Sequence, residues 1–300
     1  MTTQQPLDPV VITAGLRASA ATWHPPIVRA TTGSTNDDLR AFAEQTSVRG
    51  SWCLALADAQ TEGRGRLGHR WFSPAGRAIH LSVATELRLP TELWPRASLV
   101  VGAAVADCIE AHTGVEVGIK WPNDLFVRFD GSWRKLGGIL CERAESSQAL
   151  PSPLHHRAVW IAGIGVDVSI ERVAFAPDLR DAVASLQWLV KAELPSRSAL
   201  ACAIAVAVQN RVDAWQKSGG ALDVAQIEER LVFIGDAVSL DLGDGRPPRD
   251  VRLLGLATDG GLRVEAIAGG DAYTVHPLQI VAARCDPPWQ APRRLERSDT

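Results

Sequence analysis

Cysteine is sparse in this chain of 300 residues. There are five, an odd number, at Cys53, Cys108, Cys141, Cys202 and Cys285, and none falls in C-x-x-C spacing. That scatter argues against a disulfide framework or a zinc site and fits a reducing cytoplasm. A basic excess is also missing: 31 Lys and Arg stand against 34 Asp and Glu, a formal net charge of -3. The broad electrostatic attraction of a nucleic-acid binder is therefore absent, and any arginine cluster needs a local explanation. No apolar run reaches bilayer length, and the opening MTTQQPLDPV lacks a basic region followed by an apolar one. The expectation is a chain with no membrane span and no secretion signal. Internal repeats are not evident.

What is present is enough apolar material, 46% of residues, to bury a large core as one big domain or two unequal ones. The stretch LDPVVITAGLRASA reads as one short helix. PPIVRATTGSTNDDLRAFAEQ reads as strand, turn and helix, with Ser34 or Thr35 as the cap, Asp37 and Asp38 at the positive end, and Leu39, Phe42 and Ala43 as the buried stripe. SWCLALADAQ and AIHLSVATEL are strand signals joined by the glycine-rich QTEGRGRLGHRW. WPRASLVVGAAVADCIEAHTG is apolar along a helical length and stops at a glycine. EVGIKW, DLFVRF and KLGGILCE follow as strands, the last two separated by DGSWR with its Asp-Gly turn. AVWIAGIGVDV has the unbroken apolarity of a central strand covered on both faces. Helix is expected to dominate residues 179–231. Beyond residue 232, short strands separated by GDGRPP, TDGG and AGGD have the texture of a small β barrel.

Four stretches carry candidate chemistry. In GRGRLGHRW, Gly63, Gly65 and Gly68 permit positive φ and leave peptide N–H groups open, while Arg64 and Arg66 supply charged forks suited to a carboxylate or phosphate. The competing reading is an exposed basic loop or an RG-type nucleic-acid segment; a loop pinned between two strands favours a shaped site. In KWPNDL, Lys120, Asn123 and Asp124 fix a cation, an amide and a carboxylate around Pro122, or simply make a turn with a solvated lysine. Lys135 stands beside Gly137 and Gly138, where a ligand can lie against bare backbone. GSTND offers Ser34, Thr35 and Asn36, either as helix caps or as partners for a small polar ligand; Gln60 is equally ambiguous.

With GSTND, QTEGRGRLGHRW, KWPNDL and KLGGILCE in this order, the chain resembles the biotin protein ligases, clearly over residues 27–168 and more loosely to about residue 284. The resemblance implies an α+β fold: a catalytic domain like that of class II aminoacyl-tRNA synthetases, then an SH3-like β barrel. The division would be an N-terminal extension at 1–25, the catalytic domain at 26–230, the barrel at 231–284 and a disordered tail at 285–300. It implies a cytoplasmic enzyme that forms biotinyl-5'-AMP from biotin and ATP with Mg²⁺, then transfers biotin to a lysine of a biotin carboxyl carrier domain. Two anions about 4 Å apart repel by on the order of 4 kcal/mol at an effective dielectric near 20, so fixed cations are needed.

By the same resemblance Arg66, Lys120 and Lys135 are the candidate catalytic cations. Ser34, Thr35, Asn36, Gln60, Arg64, Gly65, Arg66, Lys135 and Gly138 would contact biotin. Arg64, Arg66, His69, Arg70, Trp71, Lys120, Asn123 and Asp167 would contact ATP, with Trp71 against adenine. Asp124 is the candidate Mg²⁺ ligand, and Gly163 and Gly165 would admit the adenylate closely. The chain departs from the family pattern at His69, where arginine is common, at Asp167, where asparagine is usual, and at VHPLQIVAA, which lacks a Gly-Glu signature. Some thirty residues precede GSTND, too few for an unaided domain to fold, so no operator binding is expected. A lipoate or octanoate transferring enzyme of the same fold and a catalytically silent sensor or RNA-binding module are the competing readings.

Overall fold

A computed structural model describes residues 6–145, 158–279 and 282–284. The larger layer is a seven-stranded sheet built from β1 (Ile27–Thr32), β2 (Cys53–Gln60), β3 (Ala78–Glu86), β4 (Gly118–Lys120), β5 (Asp124–Phe129), β6 (Ser132–Glu145) and β7 (Ala158–Asp167). Its spatial order is β1-β2-β3-β7-β6-β5-β4, with β1 and β2 parallel and the other pairs antiparallel. The apolar AVWIAGIGVD therefore lies in the middle. Alternation assigns its faces: Val159 and Ile161 pack with Leu39 and Ala43 of α2 (Thr35–Gln45), whereas Trp160, Ala162 and Ile164 join α3 (Ala97–Thr113) and α4 (Arg197–Lys217). Each fully buried Leu or Ile of this sandwich contributes about 1.5–3 kcal/mol.

α3 is apolar nearly all round because it is enclosed on more than one side. Val101 and Val105 belong to the sheet and α4 core, while Leu99 and Ala103 face a second core. It ends at Gly114 with φ 69, the left-handed cap that glycine adopts most cheaply. The DG turn joins β5 to β6 with Asp130 at φ 50 and Gly131 at φ 77, as an Asp-Gly hairpin requires. β6 reaches back to Ser132, so Gly137 and Gly138 lie inside it and do not begin it.

The 3₁₀ and irregular chain of residues 179–196 departs from the helical expectation. Helix begins only at α4, whose Ser196 side chain caps Ala199 N, and returns in α5 (Val224–Glu229). Tertiary pairing outweighs local propensity here: Lys135 N donates to Ala182 O at 2.9 Å and Ala184 N to Lys135 O at 2.8 Å. α1 (Pro9–Arg17), capped by Asp8, packs on α4 through Ile12 and Leu16.

Beyond α5 come β8 (Ala237–Asp241), β9 (Arg249–Leu256), β10 (Leu262–Ala266), β11 (Tyr273–Val275) and β12 (Ala282–Arg284), an antiparallel sheet in the order β11-β10-β9-β8-β12. This small sheet fits an SH3-like domain, without β11–β12 pairing to close a barrel among the described residues. Val238, Leu240, Val251 and Leu262 form its core together with Ile119, Trp121 and Phe126 from the large sheet. The tail at 285–300 lies outside the described residues.

Candidate active site

The glycine-rich loop runs from β2 to β3 and folds back on itself. Trp71 N donates to Gly63 O at 2.9 Å and Gly65 N to His69 O at 2.6 Å, with Arg64 and Arg70 bridged across the turn. Of its glycines only Gly68 has positive φ, at 76, and the other left-handed residue is Leu67 at φ 57. Gly63 serves closeness instead: a Cβ there would stand 2.8 Å from Trp71 O. The two arginines diverge. Arg64 places both Nη atoms on Asp37 at 2.8 and 2.7 Å. Arg66 donates to Asn123 Oδ1 at 3.3 Å and to Pro277 O, after the last strand of β8–β11, at 2.6 Å. Burial pulls the Arg66 guanidinium below its usual pKa, Asp124 opposing in part, and an arginine remains charged all the same.

α2 presents the polar end. Ser34 occupies the cap position without a side-chain capping bond, and Thr35 N instead donates to Gln60 Oε1 from β2 at 2.8 Å. The Ser82 hydroxyl lies 2.7 Å from Thr35 Oγ1 and 2.6 Å from Asn36 Oδ1. Asn36 Nδ2 donates to Glu142 Oε2 at 2.6 Å. Thr35, Asn36 and Ser82 are all buried, so each of these bonds offsets a desolvation cost of about 1–3 kcal/mol per polar group.

The third wall comes from β4–β6. Pro122 follows a cis Trp121–Pro122 bond, and Asn123 Nδ2 donates to Ile139 O at 3.0 Å while Asn123 O accepts from Ile139 N at 2.9 Å. Lys135 Nζ lies 2.7 Å from Asp124 Oδ1 and 5.6 Å from the Trp71 ring centre. Lys120 Nζ sits 5.5 Å from the Phe126 ring centre. Trp71 itself lies on Gly165, where a Cβ would come within 2.7 Å of its ring, and Gly163 gives the same closeness to Asn36. Both glycines thus admit the protein's own side chains, whatever ligand follows.

These walls enclose a cavity of about 320 Å³. Ser34, Thr35, Asn36, Gln60 and Gly163 line one part of it. Arg64, Gly65, Arg66, His69 and Arg70 come from the loop, and Lys120, Asn123, Asp124, Lys135 and Gly138 from the opposite wall, with Trp71 and Gly165 between. Asp167 is not brought to the lining. It is buried at the end of β7, accepts from Ser73 Oγ at 3.1 Å, and burial pushes its pKa up to about 8 against the opposing pulls of Ser73 and Lys135. Sequence reasoning missed Ser82, Glu142, Arg40 and the partnership of Asp37 with Arg64. Period-two alternation in AIHLSVATEL does put Ser82 opposite Leu81 and Val83, the one signal that pointed to it.

A family model described as the biotin/lipoate A/B protein ligase family matches residues 29–156. The biotin--[acetyl-CoA-carboxylase] ligase of Mycobacterium tuberculosis is 32% identical over 276 residues, covering 89% of this chain and 95% of that protein. The bifunctional ligase/repressor BirA of Bacillus spizizenii is 34% identical over 154 residues, 51% of this chain but 43% of its own length. Among solved structures, biotin protein ligase from Aquifex aeolicus in complex with biotin and ATP superimposes with a TM-score of 0.69 at 22% identity, over 88% of this chain and 98% of that one; that likeness speaks for the fold.

Proposed function

The chain belongs to the biotin/lipoate A/B protein ligase family and is a ligase, and from that premise we infer that it joins biotin to ATP as biotinyl-5'-AMP and then passes the biotinyl group to a lysine of a biotin carboxyl carrier domain. One observation supports this reading above others: a single cavity is lined by neutral hydrogen-bonding groups from the start of α2 and from β2 (Ser34, Thr35, Asn36, Gln60) and by cations from the loop, β4 and β6 (Arg66, Lys120, Lys135). A ligand with a neutral polar ring and a distant carboxylate matches that division. Because Thr35 and Gln60 hold each other and Ser82 and Glu142 hold Asn36, these three meet the ring in fixed orientation and little ordering cost remains for binding.

In the first step a biotin carboxylate oxygen bonds to the α-phosphorus of ATP, the bond to the bridging oxygen breaks, and pyrophosphate leaves. Arg66, Lys120 and Lys135 offset the approach of two anions and align them. Trp71 offers a face for adenine, Asn123 a polar contact, and His69 and Arg70, both exposed, lie at the mouth. In the second step the carrier amine attacks the acyl carbon, AMP departs with the former carboxylate oxygen, and the amine's proton passes to solvent.

No group of three or more potential metal ligands occurs among the described residues. A lone carboxylate suits Mg²⁺ carried in on phosphates, which keeps most of its own ligands. Asp124 would hold it, and the ion would supply shielding of the polyphosphate charge. Asp124 sharing its oxygen with Lys135 keeps that lysine near the same phosphates. The four described cysteines, Cys53, Cys108, Cys141 and Cys202, are unpaired, which supports a cytoplasmic site of action. No described helix is long and apolar enough to cross a membrane.

ATP–pyrophosphate exchange decides the substrate. Exchange that depends on biotin and is absent with lipoate is expected; exchange with lipoate alone would overturn the reading.

A further inference from the structure

Arg64 and Asp37 form the most complete ionic contact at the site, and its geometry bears on what the loop arginine does. Both Nη atoms of Arg64 are taken by both oxygens of Asp37, the parallel fork an arginine offers to a substrate carboxylate or phosphate. Asp37 also pairs with Arg40, one turn further along α2. Arg40 Nη2 reaches Glu142 Oε2 at 3.2 Å, and the same Glu142 oxygen accepts from Asn36 Nδ2 at 2.6 Å. The chain of contacts Arg64–Asp37–Arg40–Glu142–Asn36 therefore returns to the α2 residue next to Asp37. It contains two guanidiniums and two carboxylates, so it carries no net charge toward the cavity. It ties the loop of residues 63–71, which Arg66 also joins to Asn123 and Pro277, to the turn of α2 that carries Thr35 and Asn36.

We propose that Asp37 is a positioning residue: it clasps Arg64 and fixes the loop against α2 before ligand arrives, so that Arg64 acts through Asp37 as an anchor and does not serve as the cation for the reacting anions. This rests on the functional reading above. Arg64 holds Asp37 below the ordinary carboxylate range, its hydrogen bonds being the largest influence, so the clasp is intact throughout the neutral range.

A double-mutant cycle in the full chain tests it, with Asp37→Asn, Arg64→Gln and the two combined. A loop that must be ordered on binding weakens binding and leaves the chemical step largely alone. Each single variant is expected to raise KM for ATP roughly tenfold with kcat within about twofold, and the combined variant to do no worse than either. Asp37→Glu should restore most of the loss. Trypsin supplies a readout free of activity: cleavage after Arg66 and Arg70, followed by mass spectrometry, should quicken in Asp37→Asn and Arg64→Gln alike, in samples whose melting shows they are folded.

Arg64→Gln losing far more than Asp37→Asn, with the combined loss additive, would overturn the proposal and make Arg64 a direct ligand group. So would wild-type cleavage rates and kinetics in Asp37→Asn. If the wild-type protein turned over no biotin with ATP, the functional reading would fall, and the tryptic comparison would still decide the clasp.

Discussion

Asp167 stands one atom type away from an asparagine, and its surroundings decide how it behaves. Burial at the end of β7 raises its pKa from an ordinary 3.8 to about 8, Ser73 and Lys135 pulling the other way. In the folded protein it is a neutral acid at pH 7, able to donate as well as accept. A raised folded-state pKa gives a contribution to stability that is fully present below about pH 4, where the unfolded chain also holds the proton. As pH rises toward 8 the unfolded carboxyl ionises first, and the contribution is lost at up to about 1.4 kcal/mol per pH unit. Asp167→Asn removes the titration and keeps an acceptor for Ser73. Urea denaturation at pH 5, 7 and 9 should therefore show the variant gaining on wild type as pH rises; parallel curves would mean that the carboxyl ionises in place.

The motifs at this scale were legible because each is local. GRGR, KWPND and K-x-G-G mark positions whose side chains the cavity does gather. Their partners were not legible. That Arg64 meets Asp37, or that Asn36 meets Glu142 across 106 residues, depends on how α2 lies on the sheet, which no spacing encodes.

Among elements, the glycines of β6 and β7 separate two jobs that look alike in the sequence. A Cβ on Gly137 would run into the Gly165 carbonyl oxygen, which is main chain and cannot rotate aside. One on Gly165 would meet the Trp71 ring at 2.7 Å, a side chain that can move. Gly137→Ala is expected to cost the fold about 1–3 kcal/mol, the usual penalty for forcing extra volume into packed structure. Gly165→Ala should be milder on stability but lift Trp71 from its seat and raise KM for ATP. Denaturant titration beside exchange kinetics checks both, and a Gly165→Ala protein with normal ATP dependence would contradict the role given to Trp71. Strands and α3 were readable from alternation and apolar length. Helix does dominate residues 179–231 from α4 onward, but not over 179–196, where pairing of residues 182 and 184 with Lys135 outweighs local preference. That same pairing braces the lysine from behind.

At the scale of the molecule, the small sheet is bound to the edge of the large one. Ile119 N donates to Arg230 O at 2.6 Å and Val232 N to Ile119 O at 3.0 Å. Trp121 Nε1 donates to Gly260 O at 3.0 Å, and Arg66 reaches Pro277 O. The change of texture after residue 232 foretold a second, smaller β unit. It gave no hint that this unit's backbone would hold an arginine of the cavity, since the two are 211 residues apart. The active cavity is thus shared: neutral groups from α2, cations from the loop and β4–β6, and a carbonyl brace from the small sheet. On the proposed reading, that division lets a carboxylate oxygen meet the α-phosphorus. Biotin labelled with heavy oxygen in its carboxylate, incubated with the protein, ATP and a carrier domain, tests this by mass spectrometry of the nucleotide product. AMP carrying one heavy oxygen is the predicted result; unlabelled AMP, or ADP with inorganic phosphate, would contradict it.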